Sequence, residues 1–212
     1  MGTRELLRIP LDQVSLEGEL VIPENPQGLI IFAHGAGSSR LSPRNNYVAG
    51  LFQENGFGTF LFDLLTEQED LVYSNRFNID LISERMAGST RWVKDNTAAR
   101  DLPIGYFGAS TGSAAALKAS VEGSVDIRAV VSRGGRPDLV MEILPMVKAP
   151  TLLIVGGEDT VVISLNMEAY KALTAEKDLK IIPGATHLFE EPGKLDEVAE
   201  LAAQWFTAHL IP

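Results

Sequence analysis

Cysteine is absent from the 212 residues, which removes disulfides, thiolate zinc ligation and a cysteine nucleophile together. Long apolar runs are absent too. None approaches the length of a membrane-spanning helix, and residues 1–10 lack the apolar core of a signal peptide. Histidine is scarce, with three copies, so imidazole chemistry has only His34, His187 and His209 to draw on. No group of His, Asp and Glu has the spacing of a metal site. Neither Gly-x-Gly-x-x-Gly nor the phosphate-loop pattern occurs. Basic residues are outnumbered, 18 against 28 acidic, for a net charge of −10. A general nucleic-acid binder needs a basic stripe, and an anionic membrane repels an acidic surface. The expectation is a soluble, cytoplasmic monomer or homodimer with no cofactor, metal, nucleic-acid or membrane partner.

What is present is a regular alternation of strands and helices. Residues 4–11 and 14–23 read as a hairpin of roughly period-2 strands. From residue 28 onward, apolar runs at 29–33, 59–65, 104–107, 128–132, 151–155 and 179–182 have the continuous character of parallel strands buried on both faces. Between them lie helices predicted at 43–54 (Ser42 as N-cap, Pro43 at the first helical position), 78–96, the alanine-rich stretch after Gly112, 138–147, 164–173 and 195–210. Residues 66–76 read as a polar loop. The pattern predicts one α/β domain over 1–212 with right-handed crossovers and a largely parallel sheet.

The stretch 103–118 carries the strongest chemical signal. A short apolar strand runs into Gly108-Ala109-Ser110-Thr111-Gly112 and then into a helix, the setting of a nucleophile elbow. Taken alone, the motif is equally well a strand–helix turn capped by a serine. Three other strand ends decide between the readings, because ligands of open parallel sheets bind beyond the carboxyl ends of the strands. His34-Gly35-Ala36-Gly37 follows the strand at 29–33, Gly156-Gly157-Glu158-Asp159 the strand at 151–155, and Gly184-Ala185-Thr186-His187 the strand at 179–182. A serine nucleophile needs a base, a carboxylate to hold that base, and N–H donors for the oxyanion. Ser110, His187 and Asp159 fill the first three roles in the chain order of an elbow enzyme, with Asp159 preferred to the neighbouring Glu158. The backbone N–H groups of Thr111 and Ala36 are the expected oxyanion donors. His34 reads as a local hydrogen-bonding group that shapes the oxyanion loop, and His209, at the end of the last helix, as a surface residue.

These four stretches resemble the α/β-hydrolase superfamily, and within it the small dienelactone-hydrolase-like proteins. The resemblance runs over nearly the whole chain. It implies an α/β-hydrolase fold: a three-layer structure around an eight-stranded, mostly parallel sheet whose first hairpin is antiparallel. Ser110 stands where true dienelactone hydrolases carry cysteine, which favours a serine esterase over a lactonase. Lids in this superfamily enter after the sixth strand, and the stretch between Ser132 and Thr151 is too short for one. No cap domain is expected, and the open site suits small or accessible acyl groups.

The function expected is therefore hydrolysis of small-molecule carboxylic esters through an acyl-enzyme. Thioesterase, lactonase and peptidase activities remain open with the same residues, as does a non-catalytic ligand-binding module on the same fold. Arg40, Arg133 and Arg136 follow strand ends, where a guanidinium holds a substrate carboxylate or phosphate. Internal ion pairs with Asp63, Asp138 or Glu158 are the competing reading. Tyr73, with Leu71 and Phe77, is expected to form a partial rim over the site or to pack in the core.

Overall fold

A computed structural model describes residues 2–211. Eight strands form one sheet in the order β1-β2-β4-β3-β5-β6-β7-β8. The hairpin is β1 (Thr3–Leu11) and β2 (Val14–Ile22), and β2 runs antiparallel to β4 (Gly58–Phe62). The remaining strands are parallel: β3 (Leu29–Ala33), β5 (Ile104–Ala109), β6 (Ile127–Arg133), β7 (Thr151–Gly156) and β8 (Lys177–Ile182). From β3 the chain goes outward to β4, then returns to lay β5 on the other side of β3. The order reverses there, and ligands of open parallel sheets bind at such a switch point.

Continuous apolar runs form these strands because both faces are covered. Along β3, Leu29, Ile31 and Ala33 join one core while Ile30 and Phe32 join the other. The first core lies under α3 (Ile79–Asn96) and α4 (Thr111–Glu122), with α5 (Thr160–Ala172) at its end. The second lies under α1 (Pro43–Glu54) and α6 (Lys194–Leu210), where Phe32, Phe52, Phe107 and Phe206 pack as tilted and edge-on pairs. The arrangement is a three-layer α/β/α fold, and no separate cap domain is evident among the described residues.

Several boundaries differ from the sequence pattern. Strand β4 ends at Phe62 rather than 65, because the Leu64 N–H turns away to His34 Nε2 (3.0 Å). The supposed polar loop contains α2 (Glu67–Asp70), held by a reciprocal capping box between Thr66 and Glu69, and then a 3₁₀ turn over Tyr73–Phe77. Residues 138–147 form two 3₁₀ turns, not one helix, since Pro145 cannot donate to the preceding turn. Helix α5 starts at Thr160, four residues early, through the β-branched residues Val161, Val162 and Ile163, which weaken the helical signal in the sequence.

Helix α4 approaches the sheet as closely as backbone permits. A Cβ at Gly108 would lie 2.5 Å from Ser113 Cα, and one at Gly112 would strike the carbonyl oxygens of Ala33 and His34. The obstacles are main chain, which cannot swing aside. Gly112→Ala is therefore expected to cost about 4 kcal/mol or more, read by urea unfolding. A loss below about 1 kcal/mol would show that the helix can retreat.

Candidate active site

Ser110 sits between β5 and α4 at φ 51°, ψ −124°, a region that side chains with a Cβ rarely adopt. The strain is held from both sides. The Ser110 N–H donates to the Arg133 carbonyl (3.2 Å), and the Ser110 carbonyl accepts from Arg136 N (3.1 Å) and Ser113 Oγ (2.8 Å). The side chain abuts Gly35, where an added Cβ would come within 3.1 Å of Ser110 Cβ and 3.8 Å of its Oγ.

His187 follows β8 and Asp159 follows β7. Their loops are knitted together by Gly157 N to Ile182 O (2.8 Å) and Glu158 N to Ala185 O (3.0 Å). The His187 Nδ1–H donates to Asp159 Oδ2 at 2.6 Å, short as befits a charge-assisted bond. That bond fixes the tautomer and leaves Nε2 free to take a proton. Of the two neighbouring acids, Glu158 is exposed and Asp159 makes the contact. The Ser110 hydroxyl makes no hydrogen bond to His187 in the resting structure. The two meet the same corner: Gly134, next to the Arg133 that binds Ser110, has its Cβ position 3.5 Å from His187 Cε1.

The loop after β3 and the first turn of α4 meet at Ala36 and Thr111. The Ala36 N–H is not free but donates to Thr111 Oγ1 at 2.8 Å. The Thr111 N–H, at the first position of α4, has no acceptor among the described residues. Nothing in the Gly-x-Ser-x-Gly spacing marks the Thr111 side chain, since its position in the motif admits any residue.

The arginines divide. Arg40 is committed to Asp63 (2.7 Å from its N–H, 3.0 Å from Nη1) and Glu17 (2.7 Å from Nη2), and Arg136 is held bidentately by Asp138 at 2.8 Å. Neither is available as a free cation. Arg133 is different. It is 7% exposed, yet its Nε and Nη1 have no partner among the described residues. Burial, reinforced by the Arg44 charge, lowers its pKa to about 10. Its Cα pairs with Ala109 and Ile154, on the face that bears α1 and α6. Its main-chain carbonyl accepts the Ser110 N–H at the end of β5. Tyr73 is 70% exposed and packs on Phe77 (5.2 Å between rings), with Leu71 also exposed. They lie at the surface rather than in the core. His209, at the far end of α6, donates from Nδ1 to Trp205 O and pairs with Glu176. Among the described residues there is no cluster able to hold a metal ion and no helix long and apolar enough to cross a membrane.

Comparison with known proteins bears on the family and the fold. The dienelactone hydrolase family matches residues 16–210. A crystal structure named as a dienelactone hydrolase of Anabaena variabilis shares 50% identity, covering 99% of both chains at a TM-score of 0.95. Est1E of Butyrivibrio proteoclasticus (16% identity, 96% of this chain and 98% of that one, TM-score 0.80) and an esterase of Pyrococcus furiosus (17%, 98% and 92%, 0.79) share the fold. A Mycobacterium tuberculosis protein provisionally named a phosphoribosyl transferase is 50% identical over 206 residues, which are 97% of this chain and 46% of that protein. The chain thus spans about half the length of the curated relatives it matches.

His34 offers a test independent of turnover. Its Nε2 accepts the Leu64 N–H and its Nδ1–H donates to Gly35 O (3.0 Å), so the folded site needs the neutral ring, and burial holds its pKa below the ordinary histidine value. With the folded pKa below the unfolded one, the unfolded chain binds more protons between them. Stability then rises with pH across that window and is lost as pH falls below the ordinary histidine range. Melting temperatures between pH 7 and 5 should fall more steeply for the wild type than for His34→Gln. Parallel slopes would count against this role.

Proposed function

The chain belongs to the dienelactone hydrolase family, and from that premise we propose that it is a serine hydrolase of carboxylic esters, with Ser110 as nucleophile, His187 as general base and Asp159 as the group that orients it. The observation that carries the reading is the 2.6 Å bond from His187 Nδ1 to Asp159 beside a serine held at positive φ. Ser110 Oγ attacks the acyl carbon while its proton passes to His187 Nε2, and negative charge gathers on the former carbonyl oxygen. Collapse expels the alcohol, which takes the proton from Nε2. Water then repeats the sequence: its proton goes to Nε2, its oxygen to the acyl carbon, and Ser110 leaves reprotonated with release of the acid. The reaction needs a free lone pair on His187 Nε2 to begin.

The short connection between β6 and β7 and the exposed rim at Leu71, Tyr73 and Phe77 support small or accessible acyl groups. Hydrolysis of a lactone is the second reading, favoured by the name of the Anabaena relative at 50% identity. The phosphoribosyl transferase name belongs to a protein of which this chain matches 46%, and we leave that activity with the whole relative. For Arg133 we propose a substrate contact. A buried guanidinium with two idle nitrogens fits an anionic substituent, carboxylate or phosphate, beside the ester.

Two experiments bear on this. A fluorophosphonate probe should label the wild-type protein at Ser110 and leave Ser110→Ala unlabelled, with 4-nitrophenyl ester and lactone turnover lost together in the variant; equal labelling of the variant would remove Ser110 as nucleophile. Arg133→Met should raise KM for an ester bearing a free carboxylate by about tenfold or more, leave a neutral ester nearly unaffected, and melt no lower than wild type, since it relieves a buried unpaired charge. Equal losses on both esters would mark Arg133 as structural.

A further inference from the structure

The bond between Ala36 and Thr111 alters how an oxyanion is held at this site. An oxyanion hole of two backbone donors would leave the Ala36 and Thr111 N–H groups both pointing at the substrate oxygen. Here the Ala36 N–H is spent on Thr111 Oγ1 at 2.8 Å. A hydroxyl accepts through its lone pairs and still has one proton to donate. Thr111 is 4% exposed, and its Oγ1 proton finds no acceptor among the described residues. Its backbone N–H is likewise unspent. Both donors lie one peptide from Ser110. With Gly35, Ala36 and Gly37, Thr111 lines a cavity of about 10 Å³, the room of a single water molecule, and Gly35 abuts Ser110.

We infer that Thr111 supplies both oxyanion donors, its N–H and its Oγ1–H, and that the Ala36 N–H acts from behind by polarising the hydroxyl. The inference rests on Ser110 being the nucleophile and deepens that reading. A donor that is itself hydrogen-bonded at its oxygen donates more strongly. Thr111 is β-branched, so few χ1 rotamers are open to it, and the bond from Ala36 selects among them. The hydroxyl is thus oriented before the reaction starts, in a buried setting where such a donor counts for most. The role also gives a reason for threonine at a position where the elbow motif allows any side chain. Valine would match its shape without the proton, and serine would keep the proton on a freer rotor.

The opposite outcome is equally well defined. If the hydroxyl only occupies the Ala36 N–H, removing it frees that N–H for the substrate, and activity holds or rises. Steady-state hydrolysis of 4-nitrophenyl acetate by Thr111→Val, Thr111→Ala and Thr111→Ser separates the two. The inference expects kcat to fall roughly 10²- to 10³-fold in the valine and alanine variants with KM little changed, the pattern of a contact made only in the transition state. Serine should restore kcat to within about tenfold of wild type. Valine or alanine at wild-type kcat or above overturns the inference, and so does serine falling as far as valine. If valine does not fold, the comparison of alanine with serine decides alone. Ser110→Ala runs alongside. Loss of hydrolysis there with an active Thr111→Val discards only the Thr111 role, whereas full hydrolysis by Ser110→Ala discards the nucleophile and this inference together.

Discussion

The architecture of the site follows from one steric constraint, the near-contact of α4 with the strands it leaves and crosses. Three positions without side chains, Gly35, Gly108 and Gly112, let main chain meet main chain around Ser110. That proximity forces positive φ on Ser110. It also sets the first turn of α4 against the loop after β3, so Ala36 and Thr111 come within hydrogen-bonding distance. Strain of this kind costs of order 1–3 kcal/mol and persists only where the surroundings over-determine it. Here the surroundings are the hydrogen bonds to Arg133, Arg136 and Ser113 and the two phenylalanine-rich and alanine-rich cores that clamp the sheet.

Charge around the site is distributed unevenly. Several cations are neutralised by ion pairs, Arg40 by Asp63 and Glu17, Arg44 by Glu190, Arg76 by Asp70, Arg136 by Asp138. In a chain of net charge −10, Arg133 is buried, and its Nε and Nη1 have no partner among the described residues. An interior cation without a partner lowers stability, and the main chain of this residue binds the Ser110 N–H.

Much of this was legible beforehand, and the reasons are physical. Parallel strands covered on both faces appear as unbroken apolar runs, so β3, β5 and β7 stood out. Close backbone approach demands glycine, so the turns at 34–37, 108–112 and 156–159 announced themselves. The choice of Asp159 over Glu158 followed from how far past the strand end each acid lies. What stayed hidden depends on contacts distant in sequence. Arg40 is claimed partly by Glu17, from the hairpin, and the Nε and Nη1 of Arg133 find no partner among the described residues; a linear pattern records neither. The capping box at Thr66 and Glu69 was present in the letters but lay inside an acidic run that read as loop. The direction of the Ala36 N–H depends on the side chain of a residue 75 positions away.

The segment containing α2 and the Tyr73–Phe77 turn is largely self-contained. Its capping box, the Arg76–Asp70 pair within it and the tie from Glu69 to Arg85 on α3 hold it in shape, while its apolar side chains face solvent. A unit built this way is a replaceable part. Its surface residues can drift without disturbing the glycine contacts that set Ser110. Change on this surface and the close packing that holds the elbow therefore fall on separate sets of residues in this chain.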